Sequence, residues 1–201
     1  MRVQKKLMNA LATLMCCALA LGFVCGLSGC GKNDEAVIRE TITQALDVFK
    51  TPTRENLEPI ITKSGADLSQ IEEYGVDPYE LIEHCLSHFD YTIDTVAIDG
   101  DAATATLTLK NADVTAAVNA VQEEMTQNAS EYADILSSED ALKQFMGVFF
   151  GKVYEKLDAS QDLVQNEAQV KLDKVDGQWQ VQEDSITQLV SGMFGGINLN
   201  S

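Results

Sequence analysis

The chain has 201 residues, of which 45% are hydrophobic, and its formal net charge is −17 at pH 7. This length and apolar content suffice for one domain with a sizeable core. The balance of 31 acidic against 14 basic residues excludes a nucleic-acid-binding role, because such a field repels phosphate backbones.

The N-terminal segment, residues 1–29, is predicted to be a signal peptide. Three basic residues open it: Arg2, Lys5 and Lys6. An uncharged apolar run over residues 7–27 follows, and Leu27-Ser28-Gly29-Cys30 closes it. That tetrapeptide looks like the lipobox of bacterial lipoproteins, and the resemblance implies cleavage between Gly29 and Cys30 and acyl chains on Cys30. The alternative is an uncleaved anchor helix, which the small residues before Cys30 disfavour. Either alternative holds the rest of the chain at a membrane, facing outward.

Cleavage would make the remaining chain more acidic and would reduce its number of cysteines. It would remove three basic residues and no acidic ones, leaving 11 minus 31, or −20. Cys85 would be the one thiol that is neither removed nor lipidated. The sequence therefore predicts no disulfide framework and a buried Cys85. Residues 30–34 form a tether that reaches on the order of 10 to 15 Å. Residues 35–195 form one acidic domain, and 196–201 a loose tail.

The first element of that domain is an amphipathic helix from about residue 34 to Lys50. Its apolar residues recur at helical spacing: Ile38, Ile42, Ala45, Leu46 and Phe49. This spacing predicts one buried face. Pro52 ends the helix, and Pro59 is expected to keep the following turn short. A second short helix is expected over residues 66–74.

The clearest helix start lies at Asp77. Asp77 is the expected N-cap, Pro78 takes the first helical position, and Glu80 stands where a capping box places an acid. The helix is predicted to continue to about His88. Cys85 falls on its apolar side.

Glu80, His84 and His88 recur every four residues along this helix. Two histidines at that spacing can reach one divalent cation, with Glu80 as a third ligand. The alternative is an ordinary solvated flank in which Glu80 and His84 pair. The flank is favoured, because no HExxH or paired CxxC motif supplies the remaining ligands.

Two β-hairpins are predicted after these helices. The first spans Tyr91 to Leu109 around the turn at Gly100, with alternating apolar residues. The apolar parity changes between Ile93 and Val96, which predicts either a bulge near Asp94-Thr95 or burial on both faces. Its three alternating threonines, residues 104, 106 and 108, suit a half-exposed sheet face. The second has a two-residue Asp176-Gly177 loop. This loop puts Val170, Leu172, Trp179 and Val181 on one face.

Three helices complete the chain. One is predicted from Asp113, continuing raggedly to Leu136, and one from Ser138 to Leu157. The second carries Gly147 and Gly151, four residues apart, which are expected to let another element pack closely. The third is predicted over residues 185–193 and ends at Phe194-Gly195-Gly196.

The order of elements predicts an α+β fold, with helices on one face of a four-stranded antiparallel sheet. The lipobox, the segment YTIDTVAIDGDAATATLTLKNADV and the segment KVDGQWQV resemble uncharacterised lipoproteins of anaerobic Gram-positive bacteria. The resemblance implies an NTF2-like or cystatin-like outline. It implies no activity, and Cys30 is the one functional residue it assigns.

Three functions are compatible with this sequence. The favoured one is a non-catalytic surface lipoprotein that binds a small ligand or an envelope protein through its sheet or a pocket beneath it. The second is an NTF2-like enzyme in which a pocket encloses His88, Asp90 or Tyr91 as proton-transfer groups. The third is a metal-binding module on Glu80, His84 and His88. No GxSxG, SxxK or Gly-rich phosphate motif occurs, so no cofactor is expected.

Overall fold

A computed structural model describes residues 34–64, 68–136 and 140–196 of the chain. The predicted signal peptide, Cys30 and residues 197–201 lie outside the described residues. Within them, no helix is long and apolar enough to span a bilayer. The helices are α1 Asp34–Leu46, α2 Arg54–Ser64, α3 Ser69–Glu72, α4 Pro78–Cys85, α5 Val114–Gln127, α6 Ala133–Leu136, α7 Ala141–Asp158 and α8 Glu183–Met193. The strands are β1 Asp90–Asp99, β2 Ala102–Ala112, β3 Leu163–Val175 and β4 Gln178–Val181.

The fold class is confirmed as α+β with one four-stranded antiparallel sheet. The strand order is β1-β2-β3-β4, so each strand pairs with its neighbour in the sequence. β2 and β3 pair over their length, from Ala102 opposite Asp173 to Ala112 opposite Leu163. The predicted bulge in β1 is confirmed between Ile93 and Thr95.

One face of the sheet forms the core, and the helices pack against it. Alternate residues of β2 and β3 are buried: Ala103, Ala105, Leu107, Leu109, Ala168, Val170 and Leu172. Helix α8 packs against β2 and β3, and α1 packs against β1. Trp179 of β4 is buried at 2% exposure. Cys85 is buried as predicted, and burial raises its pKa to about 12, so the thiol stays protonated.

The second hairpin turns at the predicted loop, where Asp176 and Gly177 both have positive φ, 52° and 78°. A two-residue turn of this kind matches the twist of the flanking strands. β4 is short and pairs only with Leu172–Val175. Beyond it, Lys171 N donates to Ser185 Oγ at 2.9 Å. Helix α8 therefore continues where β4 ends and covers the open edge of β3.

Helix α4 begins as predicted but ends earlier. Tyr79 N donates to Asp77 Oδ1 at 2.9 Å, as an N-cap requires. The predicted end at His88 is wrong, because the helix stops at Cys85. A further turn would direct Phe89 N to the Cys85 carbonyl, but Phe89 N donates to Leu86 O. The Cys85 carbonyl instead accepts from the buried side chain of Asn111.

The predicted effect of Pro59 is wrong. α2 extends over Arg54–Ser64 with Pro59 inside it. A proline leaves the carbonyl four residues earlier, here that of Glu55, without its helical donor. Both residues are exposed, so water can satisfy that carbonyl.

The close packing predicted at Gly147 and Gly151 is also wrong. A Cβ added at either position of α7 would meet nothing within 4 Å. The close approach lies instead at Gly192 of α8. A Cβ there would lie 2.6 Å from Leu109 Cδ1, so α8 contacts β2 through its backbone.

Candidate functional site

The face of the sheet opposite the core, here called the open face, carries no buried side chain among its central residues: Thr92, Thr104, Thr106, Thr108, Gln169 and Lys171. The three β2 threonines are half-exposed, as their alternation predicts. Register places them beside their neighbours, with Thr106 opposite Gln169 and Thr104 opposite Lys171. The open face therefore presents hydroxyl, amide and ammonium groups from adjacent strands.

Asp94 organises one side of the open face. Thr92 Oγ1 donates to Asp94 Oδ1 at 2.9 Å, and Thr108 Oγ1 donates to Asp94 Oδ2 at 2.8 Å. The β1 bulge lies directly beside Asp94, and a bulge redirects side chains relative to a regular strand. The carboxylate thus bridges β1 and β2 and holds two hydroxyls in fixed orientations.

Large apolar side chains are sparse on the described surface. The exposed ones are Ile98, Leu142 and Val175, which lie on three different elements. A shallow groove of about 420 Å³ runs along α5, but polar residues of that one helix line it. The described surface therefore offers no contiguous apolar patch, the feature that most often marks an interaction site.

His84 and His88 are positioned against the C-terminal end of α7. His84 Nδ1 lies 2.9 Å from Asp158 Oδ1, and its ring stacks on Tyr154 with centroids 4.2 Å apart. His88 Nε2 donates to Leu157 O at 3.1 Å and to Asp158 O at 3.2 Å. The last carbonyls of a helix lack intrahelical donors. His88 supplies a donor to Asp158 O and a second donor to Leu157 O, which also accepts from Ser160 N at 3.0 Å.

These contacts give the histidines a structural role. Within residues 34–64, 68–136 and 140–196, no three His, Cys, Asp or Glu side chains are arranged to hold a metal ion. Glu80 is exposed one turn before His84 and does not form a metal-binding cluster with the two imidazole rings. The predicted metal site on Glu80, His84 and His88 thus gains no support from the described residues.

The three groups of the enzyme hypothesis have different partners. His88 binds the end of α7, whereas Asp90 Oδ1 lies 2.7 Å from Lys50 Nζ. Tyr91 OH donates to Asp47 Oδ1 at 2.8 Å. Proton transfer to a substrate requires such groups to converge on one point in a cleft, which this arrangement does not provide.

The protonation of Asp90 and Tyr91 is also unsuited to acid-base chemistry near neutrality. The hydrogen bond from Lys50 lowers the pKa of Asp90. Burial, with the neighbouring Asp47, raises the pKa of Tyr91 to about 12. Asp90 is therefore ionised and Tyr91 neutral at physiological pH, whereas a general acid or base works best with a pKa near the working pH.

Asn111 is a buried polar residue whose position the sequence pattern did not reveal. Its side chain is 0% exposed. Nδ2 donates to Cys85 O at 2.8 Å and to Met193 O at 2.6 Å, and Ala112 N donates to Oδ1 at 2.8 Å. Asn111 thereby joins the ends of α4 and α8 to the end of β2. The feature of the sequence that could have revealed Asn111 is the alternation of β2, in which an amide side chain follows Leu107 and Leu109 at the next core-facing position.

The predicted lipidation and cleavage residues, Cys30 and Gly29, lie outside the described residues, and that prediction remains untested. A family model described as a domain of unknown function (DUF5105) matches residues 34–194. No curated protein and no solved structure matches the chain.

Proposed function

The chain belongs to the DUF5105 family of unknown function, and from this premise we propose that it is a bacterial surface lipoprotein. In this proposal Cys30 carries the acyl chains, and the acidic domain binds a small ligand or an envelope protein outside the membrane without catalysing a reaction. The N-terminal segment supports the anchor, because a basic head, an apolar run and small residues precede Cys30. We also propose the NTF2-like or cystatin-like outline, supported by helices on one face of an antiparallel sheet.

The open face is the observation that carries the binding role. Antiparallel sheets often leave one face to solvent, and such a face provides polar groups in fixed positions. Here the hydroxyls of Thr92 and Thr108 are oriented by Asp94. Gln169 and Lys171 on β3 add exposed donors. The partner we propose is therefore polar, recognised by hydrogen bonds along the strands.

A non-catalytic role is favoured by the positions of the titratable groups. His88, Asp90 and Tyr91 have separate partners on α7 and around Asp47 and Lys50. Binding, in contrast, needs no convergent acid and base. It needs a rigid surface, and the paired strands β2 and β3 provide one.

The anchor is tested by lipid labelling of the full chain in a bacterial host. Cells are fed an alkyne analogue of palmitate, and the protein is examined for label and for intact mass. We expect labelled protein with residues 1–29 removed, located in the membrane fraction. Cys30→Ala should abolish the label, whereas Cys85→Ala should keep it. Unlabelled wild-type protein in the soluble fraction would contradict the anchor.

The binding face is tested by photo-crosslinking at defined positions. Thr106→benzoylphenylalanine places the crosslinker at the centre of the open face. Glu123→benzoylphenylalanine places it on an exposed position of α5 as the matched control. We expect a discrete adduct from Thr106 in intact cells and none from Glu123. Adducts of equal yield from both positions, or from neither, would refute the open face as the binding surface.

A further inference from the structure

The described chain begins at one end of the sheet. Asp34, the first residue of α1, accepts hydrogen bonds from Lys174 Nζ at 3.0 Å and 2.9 Å on its two carboxylate oxygens. Lys174 lies next to the end of β3, and its ammonium sits 5.4 Å from the ring centroid of Trp179. The start of the domain is therefore fixed to the hairpin of β3 and β4.

Both hairpin turns lie at this same end. The turn between β1 and β2 contains Gly100 and Asp101, and that between β3 and β4 contains Asp176 and Gly177. Lys174 N donates to Asp101 O at 2.7 Å, which joins the two hairpins near their turns. We call the end that carries Asp34 and both turns the tip end.

The opposite end, the remote end, carries the start of β3 and the end of α7. Ala112 there is opposite Leu163. β2 contains 11 residues, and at about 3.3 Å per residue it separates the two ends by about 30 Å. α1 follows the same direction, because Arg39 Nη1 donates to Ile93 O midway along β1. Asp47, just beyond α1, accepts from Tyr91 OH near the start of that strand.

We infer that the tip end faces the bilayer and that the remote end faces away from it. The inference rests on the lipid anchor proposed at Cys30. Residues 31–33 are the only ones between Cys30 and Asp34, and four residue steps span at most about 14 Å. The tip end is thus confined to that distance from the acylated residue, whereas the remote end lies about 30 Å farther along the strands.

The charge of the tip end indicates that the covalent tether sets this orientation. Four aspartates lie in or beside the two turns: Asp99, Asp101, Asp173 and Asp176. An anionic lipid surface repels such a group of carboxylates. Ile98 and Val175 are exposed there at 40% and 45%, but each is a single apolar side chain near several charges. The tips consequently face the lipid surface without inserting into it.

This orientation has a consequence for the open face. The strands would run away from the bilayer, so the face that carries Thr104 and Thr106 would be reached from the side. His84 and Asp158, at the remote end, would point outward. A partner would therefore approach parallel to the membrane surface and contact several strands at once.

The test measures energy transfer from two ends of the lipidated protein to acceptor dyes on lipid headgroups. The full chain is produced in a bacterial host, purified with its acyl chains and placed in phosphatidylcholine vesicles containing phosphatidylglycerol. Asp101→Cys puts a donor dye at the tip end, and Gln161→Cys, exposed beside the start of β3, puts it at the remote end. Cys85 is 1% exposed and stays unlabelled, and Cys30 is blocked by its thioether.

We expect several-fold stronger transfer from position 101 than from position 161. Asp101→Cys in a chain that starts at Gly31, and so lacks both Cys30 and the apolar segment 7–27, should show no transfer, because tethering alone holds the tips near lipid. Equal transfer from both ends in protein whose mass shows acyl chains would overturn the orientation and leave the anchor standing. Wild-type protein without acyl chains would refute the anchor and the orientation together. Transfer that persists in the chain without Cys30 and the apolar segment would refute the tether as its cause.

Discussion

The packing of α8 on the sheet predicts that Gly192→Ala destabilises the domain. A Cβ at this position would lie 2.6 Å from Leu109 Cδ1 and 3.6 Å from Leu109 Cγ. Ordinary van der Waals contact begins at about 3.4 Å, so Leu109 would have to move by about 0.8 Å. Leu109 is 0% exposed and lies within a packed core. Displacement there forces unfavourable rotamers or backbone shifts.

The expected magnitude follows from two opposing effects. Overpacking of a well-packed core costs about 1 to 3 kcal/mol. Alanine is favoured over glycine inside a helix by about 1 kcal/mol, and less at Gly192, which is the penultimate residue of α8. The net loss is about 1 to 2 kcal/mol in the free energy of unfolding, or roughly 2 to 8 °C in Tm for a domain of this size.

Gly151→Ala is the matched control, because a Cβ there meets nothing within 4 Å. It lies inside α7, so it should gain about 0.5 to 1 kcal/mol. Urea unfolding, followed by the fluorescence of Trp179, measures both variants against the wild type. This tryptophan is 2% exposed, so its emission reports on the core.

A double-mutant cycle distinguishes the steric explanation from others. Leu109→Ala alone removes the atoms that the new Cβ would meet, at a cost of about 2 to 5 kcal/mol. In that background Gly192→Ala should lose its penalty, since the methyl group then fills part of the cavity. The reasoning is refuted if Gly192→Ala is as stable as Gly151→Ala, or if its penalty is unchanged without Leu109.

Three further predictions concern buried polar groups, ion pairs and the histidines. Asn111→Ala leaves two buried carbonyls without donors and should cost about 2 to 4 kcal/mol in urea unfolding; a loss below about 1 kcal/mol would contradict its joining role. Lys152 and Lys156 hold the pKa of Glu124 below its ordinary 4.5. The ion pairs between Glu124 and these lysines therefore stabilise the folded state above that pH, and this stabilisation is lost as the pH falls through the lowered pKa. Glu124→Gln should therefore flatten the fall in stability below about pH 4.5. Glu123→Gln, exposed on the same helix, should leave that slope unchanged. Equal slopes for both variants would count against the ion pairs of Glu124. His88→Ala should lower stability by about 1 kcal/mol, because the Asp158 carbonyl loses its side-chain donor. Zn²⁺ should not raise the Tm of the wild type, and a rise that His84→Ala abolishes would restore the metal site.

Periodicity was sufficient to predict the elements that depend on local pattern. Alternating apolar residues predicted both hairpins, and the parity change before Val96 predicted the bulge that the structure has between Ile93 and Thr95. The Asp77-Pro78 pair predicted the start of α4. Each of these features depends on residues a few positions apart, so a linear pattern contains the information.

The errors arise where a contact from another element decides the outcome. Helix α4 ends at Cys85 because Asn111, 26 positions away, takes its carbonyl. For Glu80, His84 and His88 the solvated flank was favoured over a metal site, but the spacing did not reveal that both rings contact the end of α7, which is 69 or more positions away. Spacing on one helix places side chains on one side. It does not say which partner occupies that side.

Asn111 shows which sequence signal would have corrected part of this. On β2 the buried positions alternate as Leu107, Leu109 and then Asn111. A buried amide needs partners for both its donors and its acceptor. An Asn at a buried position near the end of a strand therefore predicts that carbonyls of other elements converge there. Helix ends are the richest source of such carbonyls, and Asn111 binds Cys85 O and Met193 O at the ends of α4 and α8.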